Sequence, residues 1–161
     1  MFEIRKYQEE DKQQIWEIIK FVIAAGDSFT LAPDAEREEM LTDWTSAEKH
    51  TFVAVSGEKV LATFYIKPNQ PGLGSHIANG SYMVSPEARR MGIGRKIGEF
   101  SIAEAKRLGF HAMQFNFVVK SNEKAVRLWQ SLGFEIIGEI PEAFRHKENG
   151  LTNALIMYRK L

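Results

Sequence analysis

The spacing of apolar positions along this chain of 161 residues changes several times, and the changes predict the order of its elements. Residues 2–7, FEIRKY, alternate apolar and polar side chains, which is typical of a half-buried strand. An apolar repeat at helical spacing from Ile15 to Ile23 follows the acidic residues 9–11 and predicts the first helix. A second, more polar helix is expected over residues 34–49.

A β-hairpin and two strand–helix units are predicted for the middle of the chain. Residues 51–55 and 59–66 flank the turn Ser56-Gly57-Glu58, which is the pattern of a hairpin. Prolines and glycines between residues 68 and 74 predict a loop after it. The elements expected next are, in order, a strand at 76–84, a helix that ends at Gly109, a strand at 111–119 and a helix from Ser121 to Gly133.

The last two strands are predicted at 134–140 and 153–161, and the polar residues 141–150 between them are expected to form a loop. The element order is therefore βα(α)βββαβαββ, which places the chain in the α+β class. We expect a mixed, mostly antiparallel sheet of about seven strands with helices on both faces. We also expect residues 1–161 to form a single domain, because this length suits one hydrophobic core.

Charge and composition exclude several function classes. Lys+Arg and Asp+Glu each total 21, so the net charge of zero argues against a nucleic-acid partner. The chain has no cysteine, which excludes disulfides and a cysteine nucleophile and fits a cytoplasmic protein. No apolar run approaches the roughly 20 residues of a membrane helix. Neither H-E-x-x-H nor G-x-S-x-G occurs, so we expect no metal and no serine hydrolase.

A glycine-rich segment between a predicted strand and a predicted helix indicates an anion site. Within VSPEARRMGIGRKIGEF, residues 84–100, Gly92 and Gly94 allow close approach of backbone amides to a phosphate. Arginines 89, 90 and 95 add positive charge at the same point. The dinucleotide fingerprint G-x-G-x-x-G/A fails because Ile97 stands at its third position, and Arg95 breaks the phosphate-loop pattern.

A second group of residues lies about thirty positions downstream. Asn122, Ala125, Trp129 and Leu132 are spaced three, four and three apart, so they share one helical face. Together the two segments resemble the GCN5-related N-acetyltransferase (GNAT) superfamily. The matching residues are Arg89-Arg90-Met91-Gly92-Ile93-Gly94 in the first motif and Asn122, Ala125, Leu128, Trp129, Gly133 and Phe134 in the second.

The resemblance implies that the anion is acetyl-CoA. Backbone amides from Arg90 to Arg95 would hold its diphosphate, after Pro86 has turned the chain toward the site. Its pantetheine arm would pair with the backbone between the fourth and fifth strands. The expected cofactor-binding residues are Tyr82, Met83, Val84, Arg89, Arg90, Met91, Gly92, Ile93, Gly94, Arg95, Asn122 and Trp129.

Acetyl transfer to an amine creates an oxyanion that needs a hydrogen-bond donor, and we assign the Val84 N–H or its immediate neighbour. The family usually has a tyrosine at the position of Trp129, where it protonates the departing thiolate. An indole is no useful acid, so either another group serves or none is needed. We favour the second, because a thiol with a pKa of about 8.5 can leave as the anion.

Asn116 interrupts an apolar strand where the family usually has an aliphatic residue. We hypothesise that it faces the reaction cleft, opposite Phe115 and Phe117, and orients the amine or an ordered water; the alternative is an asparagine bonded to neighbouring backbone. Tyr82 is included with Val84 and Asn116 as a catalytic candidate, since Tyr82 and Tyr65 either line the cleft or pack.

The general base has no clear candidate. Glu139 and Glu142 are possible through water, and His76, His111 and His146 are possible by type, although each is also an ordinary strand or surface residue. Specificity is expected from two loops, residues 24–34 and 141–150. Asp27 in the first of these loops either pairs with a cationic substrate or caps a helix.

The resemblance implies an acetyl-CoA-dependent N-acetyltransferase that transfers acetyl to the amine of a small molecule or amino acid. Two alternatives remain: a protein or peptide N-acetyltransferase, and an acyl-CoA sensor without turnover. A homodimer is possible, since members of the family are often dimers.

Overall fold

The computed structural model describes residues 1–161 and contains seven strands and four α-helices. The strands are β1 (Glu3–Lys6), β2 (His50–Ser56), β3 (Lys59–Pro68), β4 (Ile77–Val84), β5 (Ala112–Val119), β6 (Glu135–His146) and β7 (Gly150–Lys160). The helices are α1 (Lys12–Ala24), α2 (Arg37–Trp44), α3 (Ile93–Arg107) and α4 (Glu123–Ser131). None of these helices is both long and apolar enough to cross a membrane.

All seven strands belong to one sheet in the order β1-β2-β3-β4-β5-β7-β6. Every neighbouring pair is antiparallel except β4 and β5, which are parallel. The predicted α+β class and the mixed, mostly antiparallel sheet are therefore confirmed.

Two apolar clusters cover the two faces of this sheet. The larger cluster, on the side of α3 and α4, contains Phe64, Ile97 and Met113, each at most 1% exposed. The other, on the side of α1 and α2, contains Ile15 and Met83, also at most 1% exposed. Burial of each such side chain stabilises the fold by about 1.5–3 kcal/mol. Helices on both faces, as expected from the sequence, follow from this double core.

Helix α2 is shorter than predicted at both ends. Its C-terminus is set by side chains that satisfy the last carbonyl groups: Thr45 Oγ1 donates to Leu41 O at 2.6 Å, and Lys49 Nζ donates to Asp43 O at 2.8 Å. The Trp44 indole donates to Thr63 Oγ1 at 2.9 Å and fixes the helix on β3. The residues after Trp44 therefore form a capped turn instead of the predicted last helical turn.

An ion pair joins the start of α1 to β1. The two terminal nitrogens of Arg5 lie 2.7 and 2.9 Å from the carboxylate oxygens of Asp11, and the Gln8 backbone N–H also donates to Asp11 at 2.7 Å. The Asp11 side chain is only 8% exposed. The hydrogen bonds from Arg5 lower the pKa of Asp11, so the carboxylate is held ionised in this position.

The expected loop at 141–150 is wrong, because most of it belongs to the last two strands. The polar stretch continues β6 to His146, and β7 begins at Gly150. A register shift between Ile140 and Phe144 absorbs the extra residues, and the Glu142 N–H there donates to Asn153 Oδ1 at 2.9 Å. Pairing with β7 satisfies the backbone whatever the polarity of the side chains, so polarity alone misled the prediction.

The sheet opens between its only parallel pair. β4 and β5 pair at Ile77 with Ala112 and at Ala78 with Met113, and no pairing continues beyond these positions. β5 stays paired with β7 on its other side, with a bulge between Phe115 and Val118. The strands therefore diverge into a gap at the C-terminal half of β4.

Candidate active site

The turn between β4 and α3, residues 85–92, exposes a row of backbone donors. Its two sharpest positions are Arg90, with φ of 69°, and Gly92, with φ of 73°, which is the N-cap of α3. Only glycine adopts this left-handed conformation without steric cost, which explains the requirement for Gly92. The turn therefore directs the first amides of α3 outward.

The backbone hydrogen bonds of this turn leave several amides free. Arg89 N–H donates to Pro86 O at 3.5 Å, Met91 N–H to Ala88 O at 3.4 Å, and Lys96 N–H to Gly92 O at 3.3 Å. The amides of Arg90 and of residues 92–95 have no protein acceptor. Free N–H groups at a helix N-terminus, together with the helix dipole, form an anion-binding site.

The gap beside β4 exposes a second set of backbone groups. Ser85 N–H donates to Leu61 O at 2.8 Å, and Asn69 N–H donates to Ile77 O at 2.7 Å, so the odd-numbered residues of β4 bond to β3. Antiparallel pairing alternates, which turns the amides of Tyr82 and Val84 away from β3. Because β5 has diverged there, these two amides face the gap.

A cavity of about 300 Å³ fills the gap between β4 and β5. It extends from the start of α3 at Gly94, past Val84, to the segment between α1 and α2. Every side chain that lines it is uncharged. The lining residues are Ser28, Phe29, Thr30, Gly80, Ser81, Tyr82, Val84, Gly94, Ile97, Phe115, Phe117, Val118, Val119, Asn122, Ala125, Leu128 and Trp129.

The structure brings together five of the residues expected from the sequence. Tyr82, Val84, Gly94, Asn122 and Trp129 all line the cavity, although they come from the end of one strand, β4, and from two helices with the N-cap of the second. The rest of the first motif lies beside them at the β4–α3 turn. There the side chains of residues 89–91 are exposed, as is that of residue 95.

Two expected cofactor contacts are changed by the structure. Met83 is 1% exposed in the core on the α1 and α2 side, and its backbone pairs with Thr63 of β3. Both its side chain and its amide are therefore turned away from the gap, and this geometry does not support its expected contact with the cofactor. Ile93 is also 1% exposed, so only its backbone N–H is available to a ligand.

Helix α4 contributes its N-cap residue, two aliphatic side chains and one aromatic ring to the cavity. Asn122 is the N-cap, and its Oδ1 accepts the Ala125 N–H at 3.4 Å. Trp129 is 7% exposed, with ring centroids 4.8 Å from Tyr82 and 4.5 Å from Phe115. The indole thus packs in an aromatic group that forms the cavity wall.

The hydroxyl of Tyr82 is bonded away from the gap. It donates to Ser101 Oγ at 2.8 Å, and Ser101 Oγ donates to Gly98 O at 2.9 Å. Burial raises the pKa of Tyr82 far above its usual value, so the hydroxyl stays protonated. Tyr82 lines the cavity as a neutral ring, and an acid–base role for its side chain is not supported by this geometry. Tyr65 lies outside the cavity wall.

Asn116 is not part of the cavity wall, contrary to the hypothesis that it faces the cleft. Its side chain is exposed; Nδ2 donates to Asn69 Oδ1 at 2.6 Å, and Oδ1 accepts from Gln114 at 2.9 Å. The bulge between Phe115 and Val118 breaks the simple alternation on which the hypothesis relied. Phe115 and Val118 both line the cavity, whereas the exposed side chain of Asn116 does not.

None of the candidate bases lines the cavity. Glu139 is paired with Lys120 at 2.6 Å, which lowers the pKa of its carboxyl group. His146 Nδ1 accepts two backbone N–H groups at 3.1 Å in the turn after β6. The other candidates, Glu142, His76 and His111, are exposed.

The two expected specificity loops meet, but only one reaches the cavity. Ser28, Phe29 and Thr30, from the segment between α1 and α2, form one end of its wall. Residues 141–150 contact that segment through Lys147 N–H, which donates to Gly26 O at 2.9 Å. Asp27 is exposed and outside the wall.

Sequence reasoning missed most of the apolar wall and one hydroxyl group. The missed members include Ser81 on β4 and Phe115 and Phe117 on β5. Their positions depend on the divergence of the two strands and on the bulge in β5. No local sequence signal distinguishes them from ordinary strand residues.

Comparisons with known proteins agree with this geometry. A structure of a GCN5-related N-acetyltransferase from Kribbella flavida has a TM-score of 0.95 and 37% identity, and the match covers 99% of this chain and 98% of that one. A phosphinothricin acetyltransferase from Sinorhizobium meliloti, solved in complex with acetyl-CoA, shares the fold at a TM-score of 0.87 and 22% identity, over 99% of this chain and 88% of that one.

Curated relatives match over part of their length. The N-acetyltransferase aca1 of Schizosaccharomyces pombe is 45% identical over 98 residues, which are 60% of this chain and 47% of that protein. A mycothiol acetyltransferase of Paenarthrobacter aurescens is 35% identical over 95 residues, 57% of this chain and 29% of that protein. The matched part is thus about half of these relatives or less. The model of the acetyltransferase (GNAT) family matches residues 8–134, and the chain therefore belongs to the GNAT family of N-acetyltransferases.

Proposed function

We propose that the protein transfers acetyl from acetyl-CoA to the amine of a small molecule or amino acid, by direct attack of the amine on the thioester. One observation carries this proposal. The cavity connects free amides at the start of α3 with the segment between α1 and α2, and it passes the free amide of Val84 on the way. A donor and an acceptor can therefore enter from opposite ends and meet beside β4.

The donor end fits the chemistry of acetyl-CoA. A diphosphate suits the free amides of Arg90 and residues 92–95, and the positive charge of the exposed Arg89 adds to the helix dipole. The pantetheine arm carries amides of its own, which suit pairing with the Tyr82 and Val84 backbone where β5 has left it. Acetyl-CoA supplies an acetyl group activated as a thioester.

The Val84 N–H is the proposed donor to the oxyanion that forms during attack. It faces the gap, and no side-chain donor is needed beside it. Trp129 closes the same part of the cavity with an aromatic surface. We propose that the thiolate leaves without an enzyme acid, which agrees with the protonated Tyr82 being committed to Ser101.

The size of the cavity favours a small acceptor. A volume of about 300 Å³ must hold the acyl end of the donor as well as the acceptor. It is at the lower end of the range of ligand sites, about 300–1,000 Å³. A peptide N-terminus is the second candidate, since only its terminal amine and first side chain need to enter.

Calorimetry with acetyl-CoA and thiol release with a panel of amines test the proposal. Binding with turnover supports an enzyme, whereas binding without turnover of any amine supports a sensor. Absence of binding at millimolar acetyl-CoA would contradict both.

Asn116→Ala tests the hypothesis that Asn116 orients the amine. An unchanged KM for the acceptor would end that hypothesis.

We also propose that two copies pair along β6. This strand is an edge of the sheet and exposes Ile136 (43%) and Ile137 (55%). It begins at Glu135 and has Arg145 near its other end, so an antiparallel pair of edges sets opposite charges against each other. Light scattering tests this: Ile137→Lys is expected to yield a monomer, whereas Leu73→Lys, at a fully exposed loop position, is not. A wild-type monomer at every concentration would contradict it.

A further inference from the structure

The uncharged wall of the cavity limits the form in which an amine can enter. The polar groups of the acceptor end are the hydroxyls of Ser28, Thr30 and Ser81, and no carboxylate lines the cavity. An ammonium ion placed there would lose its hydration without gaining a counter-charge, which is strongly unfavourable. A neutral amine loses far less, because one or two hydrogen bonds replace its contacts with water.

Ser81 presents a hydrogen-bond acceptor at this place. Its Oγ donates to Tyr65 Oη at 3.0 Å, so the lone pairs of Ser81 remain for a ligand. Tyr65 is held in turn by its ring, which packs edge-on against Trp44 at 4.8 Å and lies under Lys49 Nζ at 4.5 Å. Ser81 is also the neighbour of Tyr82, whose amide faces the gap, so its oxygen lies beside the expected path of the thioester.

We propose that the acceptor enters the cavity as the free base, that Ser81 Oγ accepts one of its N–H groups, and that the enzyme thereby selects amines of low basicity. This inference rests on the proposed function, since it concerns the acceptor of the same site. The lone pair of the amine forms the N–C bond, the C–S bond breaks, and the proton lost from nitrogen passes to the thiolate or to solvent. No enzyme base takes part.

The favoured substrate class follows from the neutral fraction of each amine. An α-amino group with a pKa of about 7.7–8.0 is neutral roughly 300 times more often at pH 7 than an alkylamine with a pKa of about 10.4. Amines next to an electron-withdrawing amide belong to the first group. We therefore assign the α-amine of an amino-acid amide or of a short peptide as the acceptor class, in preference to alkylamines and lysine side chains.

Two acceptors of the same shape separate this proposal from base catalysis. Glycinamide and isobutylamine have equal numbers of heavy atoms but differ in basicity. For each, kcat/KM is expected to rise tenfold per pH unit below the pKa of that amine, so the two inflections differ by about 2.5 pH units. A single inflection at the same pH for both would mean that an enzyme group titrates, and it would overturn the proposal.

Proton release on binding provides a readout that does not need turnover. Glycinamide binding to the CoA-loaded protein is measured by calorimetry at pH 6.5, about one unit below its pKa, in buffers of different ionisation enthalpy. Close to one proton released per amine bound is expected for entry as the free base. Binding without proton release would show that the ammonium form enters, and would overturn the proposal even if acetyl transfer itself is confirmed. Absence of acetyl-CoA binding contradicts the proposed function instead.

Ser81→Ala tests the positioning role of this hydroxyl. We expect kcat/KM for both amines to fall about tenfold, the loss of one hydrogen bond, with both pH inflections unchanged. Ser81→Thr keeps the hydroxyl and is expected to recover most of the loss. Ser75→Ala, at an exposed loop position, is the matched control. Equal activity of Ser81→Ala and wild type, with the same affinity for glycinamide, would remove Ser81 from the site.

Discussion

The two ends of the cavity offer different kinds of chemical group to a ligand. At the donor end, beside α3, the available groups are the backbone amides of Arg90, of residues 92–95 and of β4. At the acceptor end the available groups are the side chains of residues 28–30, of Ser81 and of Phe117. A site made of backbone amides requires particular backbone conformations, and these require particular residues. A site made of side chains depends instead on which distant segments the fold packs together. The free amides at the start of α3 therefore leave a signal in the sequence, whereas the side chains at the other end leave none.

Removal of one donor-end amide is expected to have the largest effect on activity. Val84→Pro deletes an N–H that faces the gap, so no ladder bond to β3 is lost. Loss of the proposed oxyanion donor should reduce kcat by about 100-fold to 1,000-fold. Steady-state kinetics measures the loss, and thermal unfolding checks the fold. Val84→Ala keeps the amide and should lose much less; equal losses in the two variants would show that the side chain matters instead.

The ion pair between Arg5 and Asp11 at the start of α1 is expected to stabilise the fold. Asp11→Asn removes a carboxylate with three hydrogen bonds and should lower the free energy of unfolding by about 2 kcal/mol at pH 7. Because the folded pKa of Asp11 is lowered, its contribution is present above the unfolded pKa of about 3.9 and is lost as pH falls through the folded value. Urea unfolding at several pH values measures this; a difference that persists in strong acid would contradict the ion-pair explanation.

A pair of glycine variants compares a binding turn with an ordinary turn. Gly92 and Gly57 have φ of 73° and 60°, and an added Cβ would meet no atom within 4 Å at either position. Alanine at either position should cost about 1–2 kcal/mol of stability. Only Gly92→Ala should also weaken acetyl-CoA binding, by about tenfold, because its strain shifts the free amides. Calorimetry measures the affinity of both variants for acetyl-CoA. Equal affinities would show that Gly92 does not contribute to acetyl-CoA binding.

Trp129→Tyr is expected to have the smallest effect. It restores the residue that the family usually has, but the departing thiolate is proposed to need no acid. We expect kcat to change by less than about threefold, under about 0.7 kcal/mol, with the same pH profile. A large gain in kcat with a new alkaline limb would show that the tyrosine acts as an acid and that the wild-type protein is limited by thiolate departure.

The donor end was predictable from sequence because its requirements are local. A left-handed N-cap needs Gly92, and Gly94 follows it in the first turn of α3, so two glycines at fixed spacing identify the turn. The helix that follows is predicted by its apolar spacing. In the same way, the turn Ser56-Gly57-Glu58 between two apolar runs predicts a hairpin that the structure confirms.

The acceptor end was not predictable because its wall joins residues far apart in the chain. Phe29 and Phe117 meet there only after α1 and β5 have packed on the sheet, and the bulge in β5 decides which of its residues face inward. Asn116 is within the same bulge and lies outside the wall, and pairing with β7 turned an expected loop into the end of β6. Hydrophobic pattern carries no information on such register shifts.

The amino-acid sequence by itself determined the element order, the α+β class, the turn that exposes free amides and the membership of a transferase family. Backbone conformation and side-chain periodicity are local properties, and they leave a trace in adjacent residues. Only the tertiary structure decided where β4 and β5 part, that Met83 faces the opposite core, and that an uncharged wall surrounds Ser81. These features arise from contacts between distant segments, and their energy is shared among many residues, none of which carries it alone.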